Sequence, residues 1–270
     1  MKKIKFKIEN FKSLMLKVFH IVCGLVVFAF IFALFAFVEE QKGNLLCNTV
    51  NVSIFPGDEF FIESANVQGI INNEKGELNE RLIRTVDLRE LESDLERNPF
   101  INNAEVYTDL GGNLMIDVTQ VQALVRIINK RNESFYLDKQ GNTFPTSKMF
   151  SSRVMVANGN IGFGENDSID IIDDNKNNEH MDLYKLAKFI SASNFWNAQI
   201  EQIYVNDKKE YELIPRVGGH KILFGNTDKI EEKFEKLYAF YMEGLSKVGW
   251  EKYKTINLKY QDQIVCSRYF

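Results

Sequence analysis

A chain of 270 residues with 33 basic and 37 acidic side chains has a net charge of −4, and its three cysteines are too few and too scattered for a disulfide scaffold. The charge is unevenly placed. Residues 1–17 hold six lysines against Glu9, a net +5, so the residues after 38 together carry −9. An acidic surface of that size excludes a protein that binds nucleic acid through its phosphates.

Between the basic tail and the acidic remainder lies Val18–Val38, 21 residues without Asp, Glu, Lys or Arg. At about 1.5 Å per residue this run spans roughly 30 Å, the hydrocarbon thickness of a bilayer. Lysines precede it, and Glu39 and Glu40 follow. The positive-inside rule then places the N-terminus in the cytoplasm and the bulk of the chain across the membrane. The run is longer than the apolar core of a signal peptide, and Phe35–Val38 makes a poor cleavage site, which favours an uncleaved anchor. A polar connector, 39–49, leads out of it.

Residues 50–120 read as one small domain. Val50, Val52 and Ile54 alternate with polar residues, as in a half-buried strand. Asp58 offers an N-cap for a short helix carrying Phe61, Ile62, Ala65, Asn66, Gly69 and Ile70, and a polar stretch, Asn72–Asn79, follows. Asp87 with Glu90 forms a capping box, opening a helix with Leu88, Leu91 and Leu95 on one face that stops at Asn98-Pro99. Two alternating runs, Ala104–Thr108 and Leu114–Val118, flank Gly111-Gly112, a hairpin signal. The order is strand, helix, helix, strand, strand, which buries its apolar stripes as a three-stranded sheet with two helices on one face.

Residues 121–270 read as a mainly antiparallel β domain with two helices. Strands are expected at Leu124–Ile128, Ser134–Leu137, Arg153–Ala157, Gln199–Val205, Tyr211–Ile214 and His220–Phe224. Asp138–Gly141 is a turn, and Asn158–Asn178 a polar loop. One helix carries Leu183, Leu186, Ala187 and Ile190. A longer one carries Ile230, Phe234, Leu237, Tyr241 and Leu245, with Lys233 and Lys236 among the charged residues of its solvent face. Ile256–Tyr260 and Ile264–Tyr269 close the chain as two strands. The whole is a membrane-anchored α+β protein.

Nothing here reads as an active site. His20, His180 and His220 have no partner at metal or triad spacing, and no nucleophile or phosphate-loop motif occurs. The glycines from Gly159 to Gly164 lead into a loop, not a helix N-terminus, so they form no phosphate cradle. Asp167, Asp170, Asp173 and Asp174 match no calcium loop. No disulfide between Cys47 and Cys266 is expected, because one lies beside the membrane and the other near the opposite end of the chain. No cofactor, metal or small-molecule substrate is implied.

The arrangement resembles the FtsQ/DivIB family of bitopic bacterial cell-division proteins over nearly the whole chain. Leu91-Glu92-x-x-Leu95-Glu96-x-Asn98-Pro99-Phe100-Ile101-x-x-Ala104-Glu105-Val106 resembles the second helix and following strand of its POTRA domain. Tyr136-Leu137-Asp138-x-x-Gly141-x-x-Phe144-Pro145 resembles the first hairpin of its β domain, in the style of Bacteroidetes members. Gly225, the long helix and Ile256–Tyr260 resemble its last third. Lys259 and Asn257 depart from the frequent Arg and Asp, and Val121–Leu124 lack the family's basic residue and proline.

The resemblance implies a cytoplasmic tail (1–17), a transmembrane helix (18–38), a connector (39–49), a POTRA-like domain (50–120) and an FtsQ-type β domain (121–270). It implies a non-enzymatic scaffold in the inner membrane, a single-pass type II protein at the division septum that binds FtsB/DivIC and FtsL. A final strand can leave backbone groups free for a partner strand. The partner site is therefore expected at Ile264, Val265, Cys266, Ser267, Arg268 and Tyr269, with Lys259 and Tyr260 on the neighbouring strand. A membrane-anchored POTRA-type module for protein export or envelope assembly is the alternative.

Overall fold

The computed structural model describes residues 22–33, 46–56, 60–109, 111–165 and 179–269. Helix α1, residues 22–33, lies inside the expected span Val18–Val38, and its apolar side chains are exposed. The two ends of that span lie outside the described residues, as does Asp58. Among the described residues, no helix is long and apolar enough to cross a membrane.

The described residues divide into two units. The smaller comprises those within Met1–Ser53, Ser64–Leu95 and Ala104–Val118, and the larger those within Ile54–Glu63, Glu96–Asn103 and Thr119–Phe270.

The small unit contains α2 (Ser64–Lys75) and α3 (Leu88–Glu96). A three-stranded sheet is made by β1 (Val50–Phe55), β2 (Ile101–Thr108) and β3 (Leu114–Gln120), in the order β1-β3-β2. The strand–helix–helix–strand–strand order is as expected, and the alternation in β3 buries Leu114, Ile116 and Val118. Helix α2 differs from its expectation. It starts at Ser64, runs on through the stretch assigned to polar loop, and buries Val67 and Ile71. Phe61 precedes it and is claimed by an aromatic cluster. Asp87 caps α3 through Oδ1, which accepts from the N–H groups of Arg89 and Glu90 at 3.1 Å. The carboxylate of Glu90 turns away to Lys75, 2.6 Å off, so only half of the expected box is in place. At the hairpin, Asp109 Oδ1 accepts from Gly111 and Asn113 at 2.8 Å, and Gly112 takes a positive φ of 81°.

The large unit is built on one nine-stranded sheet. Its strands are β4 (Ala123–Ile128), β5 (Ser134–Asp138), β6 (Thr143–Pro145), β7 (Met155–Gly159), β8 (Ile200–Val205), β9 (Tyr211–Pro215), β10 (Lys221–Gly225), β11 (Tyr253–Asn257) and β12 (Val265–Arg268). Their order is β12-β11-β10-β9-β8-β7-β4-β5-β6. The sheet is mainly antiparallel, but β4/β7, β7/β8 and β10/β11 pair in parallel. Parallel neighbours need a long return connection. The segment with α4 (Glu179–Ala192) and α5 (Asn194–Gln199) provides one, and α6 (Ile230–Ala239) another.

Helix α5 is a third helix where two were expected, and Ser193 Oγ caps it at 3.3 Å from the Trp196 N–H. The long helix does not stop at Ala239. It continues through a π-helical turn, Phe240–Leu245, into Ser246–Val248. Its expected stripe is buried throughout, and Lys233, expected in solvent, is buried with it.

Strand β5 shows why the sheet tolerates consecutive apolar residues. Phe135 and Leu137 point into the main core, while Tyr136 points to the other face. There it meets Val121, Ala123, Phe144 and Phe61, with Phe100 and Phe150 packed around them. Both faces of β5 are covered, so the run is continuous instead of alternating.

Candidate interface at the last strand of the sheet

The path β10–α6–β11 sets the position of the site. The helical return lays β11 parallel to β10, with Ile222 opposite Ile256. The chain then reverses, and β12 runs antiparallel on the outside of β11, pairing Asn257 with Val265, Ile256 with Cys266 and Thr255 with Ser267. Among the described residues no strand lies beyond β12 in the sheet order, so its outer backbone groups form an edge.

The side chains of 264–269 take two faces. Ile264 and Cys266 pack against the main core, and burial pushes the Cys266 thiol up in pKa. Val265, Ser267 and Arg268 are exposed. The hydroxyls of Ser267 and Thr255 are 2.6 Å apart across the pair. The exposed Tyr269 donates its hydroxyl proton to the carbonyl of Gly219 at 2.7 Å.

Lys259 and Tyr260 are not on the neighbouring strand. β11 ends at Asn257, whose Oδ1 accepts from the Lys259 N–H at 3.0 Å and turns the chain. Leu258 still donates to the Leu223 carbonyl at 3.0 Å and is buried. Lys259 folds over Gly225 and places Nζ 3.1 Å from the Glu210 carboxylate. That pairing holds the Glu210 carboxyl below its ordinary range. Tyr260 is exposed, and its carbonyl, with that of Gln261, accepts from Lys236 Nζ at 2.8 Å.

Sequence reasoning located the edge but missed Lys236, Glu210, Gly219 and Thr255. Each of these lies 12 to 50 residues from its partner. A glycine closing β10 with a φ of 81° was the one local sign that a side chain crosses there.

Outside this edge, two of the features noted in the sequence make internal contacts. His220 is buried with Nε2 2.9 Å from the Tyr241 hydroxyl. The glycine-rich stretch donates the Gly162 N–H to the Glu179 carboxylate at 3.1 Å, so that donor is already taken by an anionic side chain of the same chain. Among the described residues, no cluster of His, Cys, Asp and Glu could hold a metal ion, and Cys23, Cys47 and Cys266 are free thiols. The four aspartates from Asp167 to Asp174 lie outside the described residues.

A family model described as FtsQ/DivIB, C-terminal related, matches residues 122–267, more than half of the chain. A POTRA-like domain model matches residues 45–119. No curated protein matches the chain.

Proposed function

The chain belongs to the FtsQ/DivIB family, and from that premise we propose that it is a membrane-tethered, non-enzymatic scaffold of the bacterial division machinery. On this reading Val18–Val38 is the anchor, with the N-terminus in the cytoplasm. The helical, apolar and exposed course of residues 22–33 supports it. The POTRA-like unit takes part in localisation. The large unit binds the FtsB/DivIC and FtsL partners at the septum.

One observation carries the reading: the chain's last strand is the terminal strand of a nine-stranded sheet, short and largely exposed. A partner segment added there as a tenth strand gains backbone hydrogen bonds, and alternate side chains supply selectivity. Val265 and Ser267 lie on one face of such a pair, with Tyr260 near its start.

Proline removes a backbone donor and cannot sit in the interior of a sheet. Proline variants at Val265, Cys266 and Ser267 of the full chain should include folded proteins that no longer co-purify with an epitope-tagged FtsB/DivIC-type protein from the same genome. Undiminished co-purification by every folded variant would remove the edge from the proposal. A fluorescent protein fused to the N-terminus should mark a mid-cell band, with filamentation on depletion. A uniform envelope signal with outer-membrane defects would instead favour a POTRA-type export or assembly module.

A further inference from the structure

A strand of four residues gains little from its own ladder, and β12 is that short. Two side-chain contacts from distant parts of the large unit hold its approaches. Before the strand, Lys236 on α6 reaches across 24 residues and donates from Nζ to the carbonyls of Tyr260 and Gln261, both at 2.8 Å. These are charge-assisted bonds to the turn that feeds β12. After it, the Tyr269 hydroxyl is fixed to the Gly219 carbonyl at 2.7 Å in the β9–β10 connection. A Cβ on residue 219 would come within 3.0 Å of that hydroxyl, so glycine leaves the room the contact needs.

We propose that Lys236 and Tyr269 are positioning residues of the docking edge, holding residues 260–269 in the extended course from which β12 can template a partner strand. The proposal rests on the strand-addition reading given above. Its physical basis is preorganisation. A partner's apparent affinity falls in proportion to the fraction of molecules whose edge is formed, and ordering a loose strand on binding subtracts from the interaction.

Hydrogen exchange on the full chain in detergent micelles separates the parts of this claim. Losing either clamp, in Lys236→Met or Tyr269→Phe, should speed exchange over residues 260–269 by about tenfold. Exchange over Ile200–Val205 in the centre of the sheet should not change. Capture of the tagged FtsB/DivIC-type protein should weaken by a similar factor. Lys236→Arg should restore both, because a guanidinium can also serve two carbonyls. Unaltered exchange over 260–269 in both variants overturns the clamps, whatever the capture shows. Accelerated exchange with wild-type capture overturns their role in docking. A wild-type chain that captures no partner overturns the docking reading itself, and the exchange data identify that case separately.

Discussion

Lys233 Nζ lies 4.9 Å from the centre of the Phe224 ring and donates to both the carbonyl and the side-chain oxygen of Asn226, at 2.8 and 2.9 Å. The ammonium is buried at the start of α6, where Lys229 in the left-handed region provides no side-chain cap. Burial pulls its pKa down, yet the group ties the β10–α6 junction together. Lys233→Ala should lower the unfolding free energy of the large unit by about 1–3 kcal/mol, the range for losing charged hydrogen bonds. Lys233→Met keeps the stem over Phe224 and gives up the desolvation cost, so it should cost less than half as much. Denaturant midpoints of the two variants at equal slope check this, and equal losses would show that the charged hydrogen bonds matter and the stem does not.

His220 makes stability depend on pH in a defined direction. It is buried against Tyr241, with Trp250 stacked 6.4 Å away and Glu251 nearby, and burial holds its pKa below the ordinary 6.5. As pH falls through 6.5 the unfolded chain takes up a proton before the folded chain does. Stability should therefore fall from about 6.5 downward until the folded-state pKa is passed, and this group contributes no slope above 6.5. Both tryptophans of the chain lie in this unit and flank Tyr241, at 5.7 Å for Trp196 and 5.1 Å for Trp250. Urea titrations followed by tryptophan fluorescence at a series of pH values will read the slope, and His220→Gln should flatten it. An unchanged slope in that variant assigns the titration to another group.

The two lysines show where sequence reading stops. The stripe Ile230, Phe234, Leu237, Tyr241 and Leu245 was legible because helical period alone predicts which residues face a core, and all five are buried. The same period put Lys233 and Lys236 in solvent, because it has no information on what lies beyond the end of each stem. Strand β11 was read too long for a related reason. Alternation continues through Tyr260, but the Asn257 side chain captures the Lys259 N–H and ends the strand. Helix α5 and strand β6 have six and three residues, too few for any period to register. The sheet order puts β12 at an end, as expected for Ile264–Tyr269; what braces it depends on Gly219 and Lys236, which no local pattern joins to it.

Phe61 was expected on a helix and instead anchors the second aromatic cluster of the large unit. Its ring centre is 5.9 Å from Phe100, 5.6 Å from Tyr136, 5.3 Å from Phe144 and 5.0 Å from Phe150, mostly edge-to-face. Ile62 follows it with its N–H bonded to Gln120 Oε1 at 3.2 Å, so the backbone cannot move inward to fill a gap. Phe61→Ala should destabilise the unit by about 3–5 kcal/mol, and Phe61→Leu by roughly 1–2 kcal/mol. Thermal unfolding followed by near-ultraviolet dichroism checks the pair. A loss below 1 kcal/mol for alanine would show that the cluster adapts.

Gly225 connects backbone conformation to the charge beside the docking edge. Its φ of 81° is costly for any residue with a Cβ, and that atom would stand 2.9 Å from Lys259 Cγ and 3.1 Å from Cδ. Those atoms are mid-stem, so relieving the contact moves the whole lysine and parts Nζ from Glu210, now 3.1 Å away. Gly225→Ala should therefore have two effects. Stability should fall by about 1–2 kcal/mol from the left-handed backbone. The Glu210 carboxyl, which the lysine holds low, should titrate closer to its ordinary 4.5. Lys259→Met separates the two, since it should raise the Glu210 pKa equally while leaving the backbone unstrained. Carboxyl-detected NMR titration of the three proteins gives the pKa, and denaturant midpoints give the strain. If Gly225→Ala lost stability without moving Glu210, the lysine would have found another path to the carboxylate, and Gly225 would matter for its own φ alone.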